Sequence, residues 1–158
     1  MRQLISAAAA LSLVATAAEA ATVAACGAQS GRAYYPAAGL VPKGKDGWTD
    51  DQTTGGSTTL TRSADGSLDI LFRDATGEIT SARNDGADIV LLRKSANEVA
   101  VLVAYGEGLQ AVEVYSFIRE TDGSARMLQL SSKGVSLAMS VPKAGVYVAD
   151  CTTLDLDH

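Results

Sequence analysis

From Ser57 onward the chain alternates apolar and polar positions in short runs, separated by turn residues about every 8 to 12 positions, the pattern of an antiparallel β domain. Leu68, Ile70 and Phe72 interleave with Asp69, Leu71 and Arg73, which places one face inward and one outward at period two. Thr58 to Arg62 precedes this run across Asp65-Gly66, and Glu78 to Ala82 follows it across Asp74 to Gly77. Such Asp-Gly and Thr-Gly pairs accept the positive φ that tight hairpins require. After Asn84-Asp85-Gly86, Asp88 to Arg93 carries four consecutive apolar residues, Ile89 to Leu92. Glu98 to Tyr105 is apolar on both faces, which marks a strand covered on both sides or a barrel strand beside small neighbours. In Ala111 to Arg119 the set Val112, Val114, Ser116 and Ile118 opposes Glu113, Tyr115, Phe117 and Arg119. Ala125 to Leu130, Val135 to Val141 and Val146 to Cys151 bring the count to about eight strands.

Consecutive strands joined by short turns pair with their neighbours, so the expected fold is all-β, an antiparallel meander of about eight strands. A meander this long exposes two edges unless it curls, which favours a closed or nearly closed barrel over a sandwich. Helix has little support, since Val135, Leu137, Met139 and Val141 repeat at period two. Residues 57–153 form the expected meander, 154–158 a tail, and 21–56 an irregular segment of the same domain. That segment is rich in Gly and Pro and holds one short strand near Arg32 to Tyr35, ended by Pro36.

Residues 1–20 read as a secretory signal peptide, with Arg2, an apolar stretch from Leu4 to Ala17, and an A-x-A site at Ala18-Glu19-Ala20. The uncharged stretch is shorter than the 18 or so residues that span a membrane. Behind it stand the chain's two cysteines, Cys26 and Cys151. In an exported domain a pair like this is expected to form one disulfide. A bridge closing so long a loop contributes about 4 to 5 kcal/mol in the chain-entropy account. A competing reading takes Val23-Ala24-Ala25-Cys26 as a relaxed lipoprotein box with a lipid anchor on Cys26, which leaves Cys151 unpaired.

The formal charge is −5 and the basic residues are scattered, which argues against nucleic acid and against an anionic membrane surface as partner. Aromatics are few, one Trp, two Phe and five Tyr, so a broad stacking surface is not expected. The lone histidine, His158, ends the chain, a poor place to hold an imidazole against a nucleophile. With two cysteines and one histidine, a closed zinc site lacks ligands. Ser140-Val141-Pro142-Lys143 matches S-x-x-K without its companion motifs. Gly55-Gly56 lacks the Lys-Ser/Thr of a phosphate loop. The acids at Asp46, Asp50, Asp51, Asp74, Glu78, Asp85 and Asp88 follow no EF-hand order and read as turn residues. No catalytic residue, metal or cofactor is therefore expected.

Tyr, Trp and Arg bury much area for little lost rotamer freedom, so Ser30, Arg32, Tyr34 and Tyr35, with Trp48 nearby, are the candidate binding residues. The alternative is that Tyr34, Tyr35 and Trp48 plug one end of the barrel.

Taken together, Cys26, Tyr34-Tyr35, Gly47-Trp48, Leu68-Asp69-Ile70, Asp74 with Gly77, Asp85-Gly86-Ala87, Val114-Tyr115 with Phe117, and Cys151 resemble a group of small secreted bacterial proteins of unknown function. That resemblance implies export and a compact β domain. Ser30-Gly31-Arg32-Ala33-Tyr34 is also similar to the S-G-x-x-Y motif of the C-type lysozyme inhibitors of the bacterial envelope, although that family carries it mid-chain. The expected function is an exported, non-enzymatic binding or envelope-associated domain, periplasmic or secreted, whose partner is a protein or small ligand. A lysozyme-type hydrolase inhibitor and a small apolar-ligand carrier are the alternatives.

Overall fold

The computed structural model describes residues 20–106, 108, 110–135 and 141–157. The described residues form an all-β domain of eleven strands in one antiparallel sheet curled into a half barrel. They include no helix, hence none long and apolar enough to cross a membrane. Residues 1–19 of the expected signal peptide, Ser140 and His158 lie outside the described residues, as do positions 136–140 of the strand expected from Val135 to Val141.

The meander is present in two pieces. β4 (Ser57–Arg62), β5 (Leu68–Arg73) and β6 (Ile79–Ser81) pair in sequence. So do β7 (Ala87–Lys94), β8 (Glu98–Tyr105), β9 (Ala111–Arg119), β10 (Ala125–Lys133) and β11 (Lys143–Leu154). Asp-Gly turns act as expected. Gly66 and Gly123 take φ of 86° and 87°, and Asp65 and Asp122 accept the amides of Ser67 and Ser124 at 2.9 Å.

The segment 21–56, expected to be irregular with one short strand, instead holds three strands, β1 (Ala21–Cys26), β2 (Ser30–Tyr35) and β3 (Gly47–Gln52). Its glycines and prolines concealed them because they sit at breaks between strands. β1 and β2 follow one another along a single edge of β11. β1 pairs with residues 151–154 and β2 with residues 144–148, and the Gly27 amide bonds to Asp150 carbonyl between them. β3 and β4 continue the pattern on the far side, β3 against β2 and β4 against β1. The first strand thus pairs with the last, and the open seam lies between the edge strands β6 and β7.

Cys26 and Cys151 are register partners on β1 and β11 and form a disulfide. The Cys26 sulfur is therefore not available for a lipid. Such a bridge belongs to an oxidising, extracytoplasmic environment. The residues after β11, expected as a tail, are docked: Leu156 is buried and the Asp155 amide bonds to Val23 carbonyl at 2.7 Å.

Inward positions stack in layers set by strand register. Val99, Phe117, Met127 and Ala149 share one layer and join Val23, Leu60 and Ile70 in the core. The next layer holds Val101, Tyr115, Gln129 and Tyr147, and the one beyond it Val103, Glu113, Ser131 and Gly145. The inner face therefore grades from apolar to polar along the half barrel. Outward, Val90, Leu102, Val114, Leu130 and Val146 form one row across five strands, which accounts for the double apolarity of β8.

Gly31 lies opposite Tyr147 where β2 meets β11. A Cβ there would stand 2.0 Å from the Val146 carbonyl oxygen and 2.7 Å from Tyr147 Cα, both backbone atoms that cannot swing aside. Gly31→Ala is expected to destabilise the protein by about 3 kcal/mol, read as a lowered urea midpoint. A midpoint equal to the wild type would show that β2 does not approach β11 this closely.

Candidate functional site

The polar end of the inner face opens onto a cavity of about 300 Å³. Two hydrogen-bonded groups build its walls. The first gathers on Asp51 of β3, whose Oδ2 accepts from Lys143 Nζ at 2.5 Å, Tyr147 Oη at 2.8 Å and Tyr35 Oη at 3.0 Å. Strand alternation brings them together. Tyr35 and Asp51 take the inward parity of the β2–β3 pair, while Lys143 and Tyr147 take it on β11. Gly145 completes the arrangement, since a Cβ there would stand 2.6 to 2.7 Å from the Tyr147 ring and hydroxyl. The missing side chain lets that ring lie back along β11. The Lys143 ammonium also sits over the rings of Tyr35 and Tyr147, 5.8 and 5.4 Å from their centres.

The second group surrounds Glu113, which is 5% exposed. Its Oε2 accepts from Tyr115 Oη at 2.6 Å and its Oε1 from Ser131 Oγ at 3.2 Å. Lys133 Nζ stands 3.7 Å from Oε1, and Gln129 Nε2 donates to Tyr115 Oη at 2.8 Å. Buried polar groups are costly unless partnered, and these are partnered mainly by one another across β9 and β10.

Burial opposes the charge on Asp51, but the hydrogen bonds from Lys143 and Tyr147 and the attraction of the ammonium outweigh it and hold the carboxyl below its ordinary range. Lys143 is its counterpart. Burial works against its ammonium, while bonds to Asp51 and Tyr147 raise it well above the usual lysine value. Burial and then the bond to Asp51 push the hydroxyls of Tyr35 and Tyr147 up. Burial does the same to Tyr115, reinforced by the Glu113 charge.

The binding residues expected from the sequence are divided between two faces. Tyr35 joins the Asp51 group. Arg32, Tyr34 and Trp48 are on the outer face of the β2–β3 pair. There Arg32 pairs with Asp50 at 3.2 Å and Tyr34 meets Trp48 edge to face at 5.7 Å. Ser30 is exposed at the start of β2. The S-G-x-x-Y segment is thus a strand, and its Gly31 serves close packing. Lys143 of the S-x-x-K match is engaged with Asp51. Asp65, Asp74 and Asp122 spend their carboxylates on turn amides. Among the described residues no group of three His, Cys, Asp or Glu side chains is placed to hold a metal.

Sequence reading missed Glu113, Gln129, Ser131, Lys133 and Asp51. One signal was present: Glu113 shares a strand face with Tyr115 and Phe117, and a carboxylate on an otherwise inward aromatic face needs internal partners. Comparison of the chain with protein-family models, with curated proteins and with solved structures gives no match.

The sign of the pH dependence follows from these shifts. The Asp51 carboxyl is depressed in the folded state, so its contribution is complete well above the unfolded value of 3.8 and is lost as pH falls through the lower folded value. The tyrosines at 35 and 147 are raised, so the unfolded chain ionises first above pH 10.0 and stability falls there. Urea midpoints are expected to form a plateau from about pH 5 to 9 with losses on both sides. Asp51→Asn should lower the plateau and flatten the acid limb; an unchanged acid limb would remove Asp51 as its cause.

Proposed function

We propose that the protein is an exported, non-enzymatic binding domain that takes a small polar ligand into the mouth of its half barrel and works in the periplasm or outside the cell. One observation carries this reading. The inner face is polar and largely buried, with its internal hydrogen bonds formed, and yet it borders a cavity of about 300 Å³, within the size range of ligand sites. The lining mixes charged and amide side chains with Phe72, Tyr105 and Tyr147, which favours a ligand that has both a polar group and an apolar part over a purely apolar one. Asp51 accepts three hydrogen bonds on one oxygen and is held ionised, which suits a structural anchor better than a proton-transfer base. Export is supported by the Cys26–Cys151 bridge and by the signal-like residues 1–20.

Native mass spectrometry of freshly purified, secreted protein is expected to give a chain beginning at Ala21, two hydrogens lighter for the bridge, with a retained small mass that Gln129→Leu releases. Robust turnover in a hydrolase screen, abolished by Glu113→Gln, would instead make the protein an enzyme.

A second reading is a protein inhibitor of a cationic hydrolase of the lysozyme type. It is favoured by the outer face, where Trp48 is 59% exposed and braced by Tyr34, and by the net charge of −5. Lysozyme activity should then fall in the presence of excess protein and recover with Trp48→Ala. Full activity at excess protein would dismiss it.

A further inference from the structure

The cavity contains one organic cation site that the protein fills itself. The Lys143 ammonium lies against two tyrosine rings and a carboxylate, those of Tyr35, Tyr147 and Asp51. Rings and a carboxylate recur elsewhere in the cavity lining. Phe72, Tyr105 and the exposed Asp85 also line the cavity, with the fully buried Tyr115 ring beside Phe72, their centres 6.2 Å apart and tilted at 48°. With Tyr147, these are four of the chain's eight aromatic side chains.

Charge distinguishes the two parts of the lining. Lys143 is paired with Asp51 and Lys133 with Glu113, so both cavity lysines are matched within the fold. Among the described residues the Asp85 carboxylate has no ion pair and the Tyr105 hydroxyl no hydrogen bond. The unmatched charge of the lining is negative. Burial raises the pKa of the Tyr105 hydroxyl, and the charges of Glu113, Asp85 and Asp69 raise it further.

We propose that the Phe72, Tyr105 and Asp85 part of the cavity binds a small organic ammonium ion, held by the two rings and the Asp85 carboxylate. This rests on the reading of the cavity as a binding site and names its ligand class. Ring faces attract a cation through their quadrupole, and the effect grows where water is excluded. An ammonium bearing methyl groups satisfies the rings and the carboxylate together, whereas a carboxylate or phosphate meets unmatched negative charge.

The test is titration of the full mature protein with choline, with 3,3-dimethylbutan-1-ol as its uncharged isostere, and with acetate, followed by NMR of the Phe72 and Tyr105 ring protons. Choline is expected to shift these signals saturably and to bind about tenfold more tightly than the isostere, with acetate inert. Tyr105→Leu should weaken choline by about tenfold. Asp85→Asn, at an exposed turn where none of the described residues bonds the carboxylate, is nearly isosteric and should weaken choline about threefold and leave the isostere unchanged. Equal binding of isostere and choline, or preferential binding of acetate, overturns the cation assignment and leaves the cavity a binding site for another class. No shift with any probe also overturns it. Joined to native spectra free of retained mass, that outcome removes the binding function as well.

Discussion

Strand β11 is bonded along one edge to β10 for nine consecutive residue pairs and along the other to two strands in succession, β2 and then β1. Both halves of the molecule depend on this division. Where β1 lies alongside, the inner face receives Val23, Cys26 and the strand β4 with Leu60, and an apolar core forms. Where β2 lies alongside, it brings β3 and with it Asp51, and the interior becomes polar. The break between β1 and β2, at residues 27–29, is thus the boundary between core and cavity. Buried Gln29 is fixed there by its own bonds to Thr53 and Thr58.

The two halves stabilise the fold by different means. The core relies on apolar area removed from water, with Phe117, Met127, Ile70 and Leu60 fully buried. The disulfide fastens its central ladder. The cavity end has little of that area and depends on directional bonds that lose their value when one partner is missing. Its geometry is accordingly narrow in tolerance, and two glycines, Gly31 and Gly145, are required for the backbone and the Tyr147 ring to come close enough. The outer face has a third character, since its apolar row and the Tyr34–Trp48 pair remain partly open to solvent.

Much of the architecture was legible in the sequence because strand periodicity is a local signal. The strands from Thr58 onward other than the one expected from Val135 to Val141, the Asp-Gly turns and the bridge between the first and last cysteines could be read from residue order. Of the first three strands only β2 was legible, near Arg32 to Tyr35; β1 pairs with a strand more than a hundred positions away, and β3 pairs with β2 across a stretch broken by Gly and Pro. The seam was hidden for the same reason. Nearest-neighbour logic joins β6 to β7, but the short β6 ends at Ser81 and the chain turns through Asn84-Asp85-Gly86 without forming a ladder. The site was mostly illegible. Tyr35 was singled out as an aromatic, but Asp51, Lys143 and Tyr147 meet it only through tertiary register, and Arg32, Tyr34 and Trp48 have the opposite parity.

The pairing of β1 with β11 also governs when the domain can exist at all. The bridged cysteines are 125 positions apart in sequence, and folds dominated by such distant contacts assemble slowly. A chain emerging from its N-terminus can form the β4–β5 hairpin early, but β1 has half its partners missing until the last strand arrives. The core therefore stays incomplete until β11 is in place. The cysteine bond can form only once β11 has been delivered.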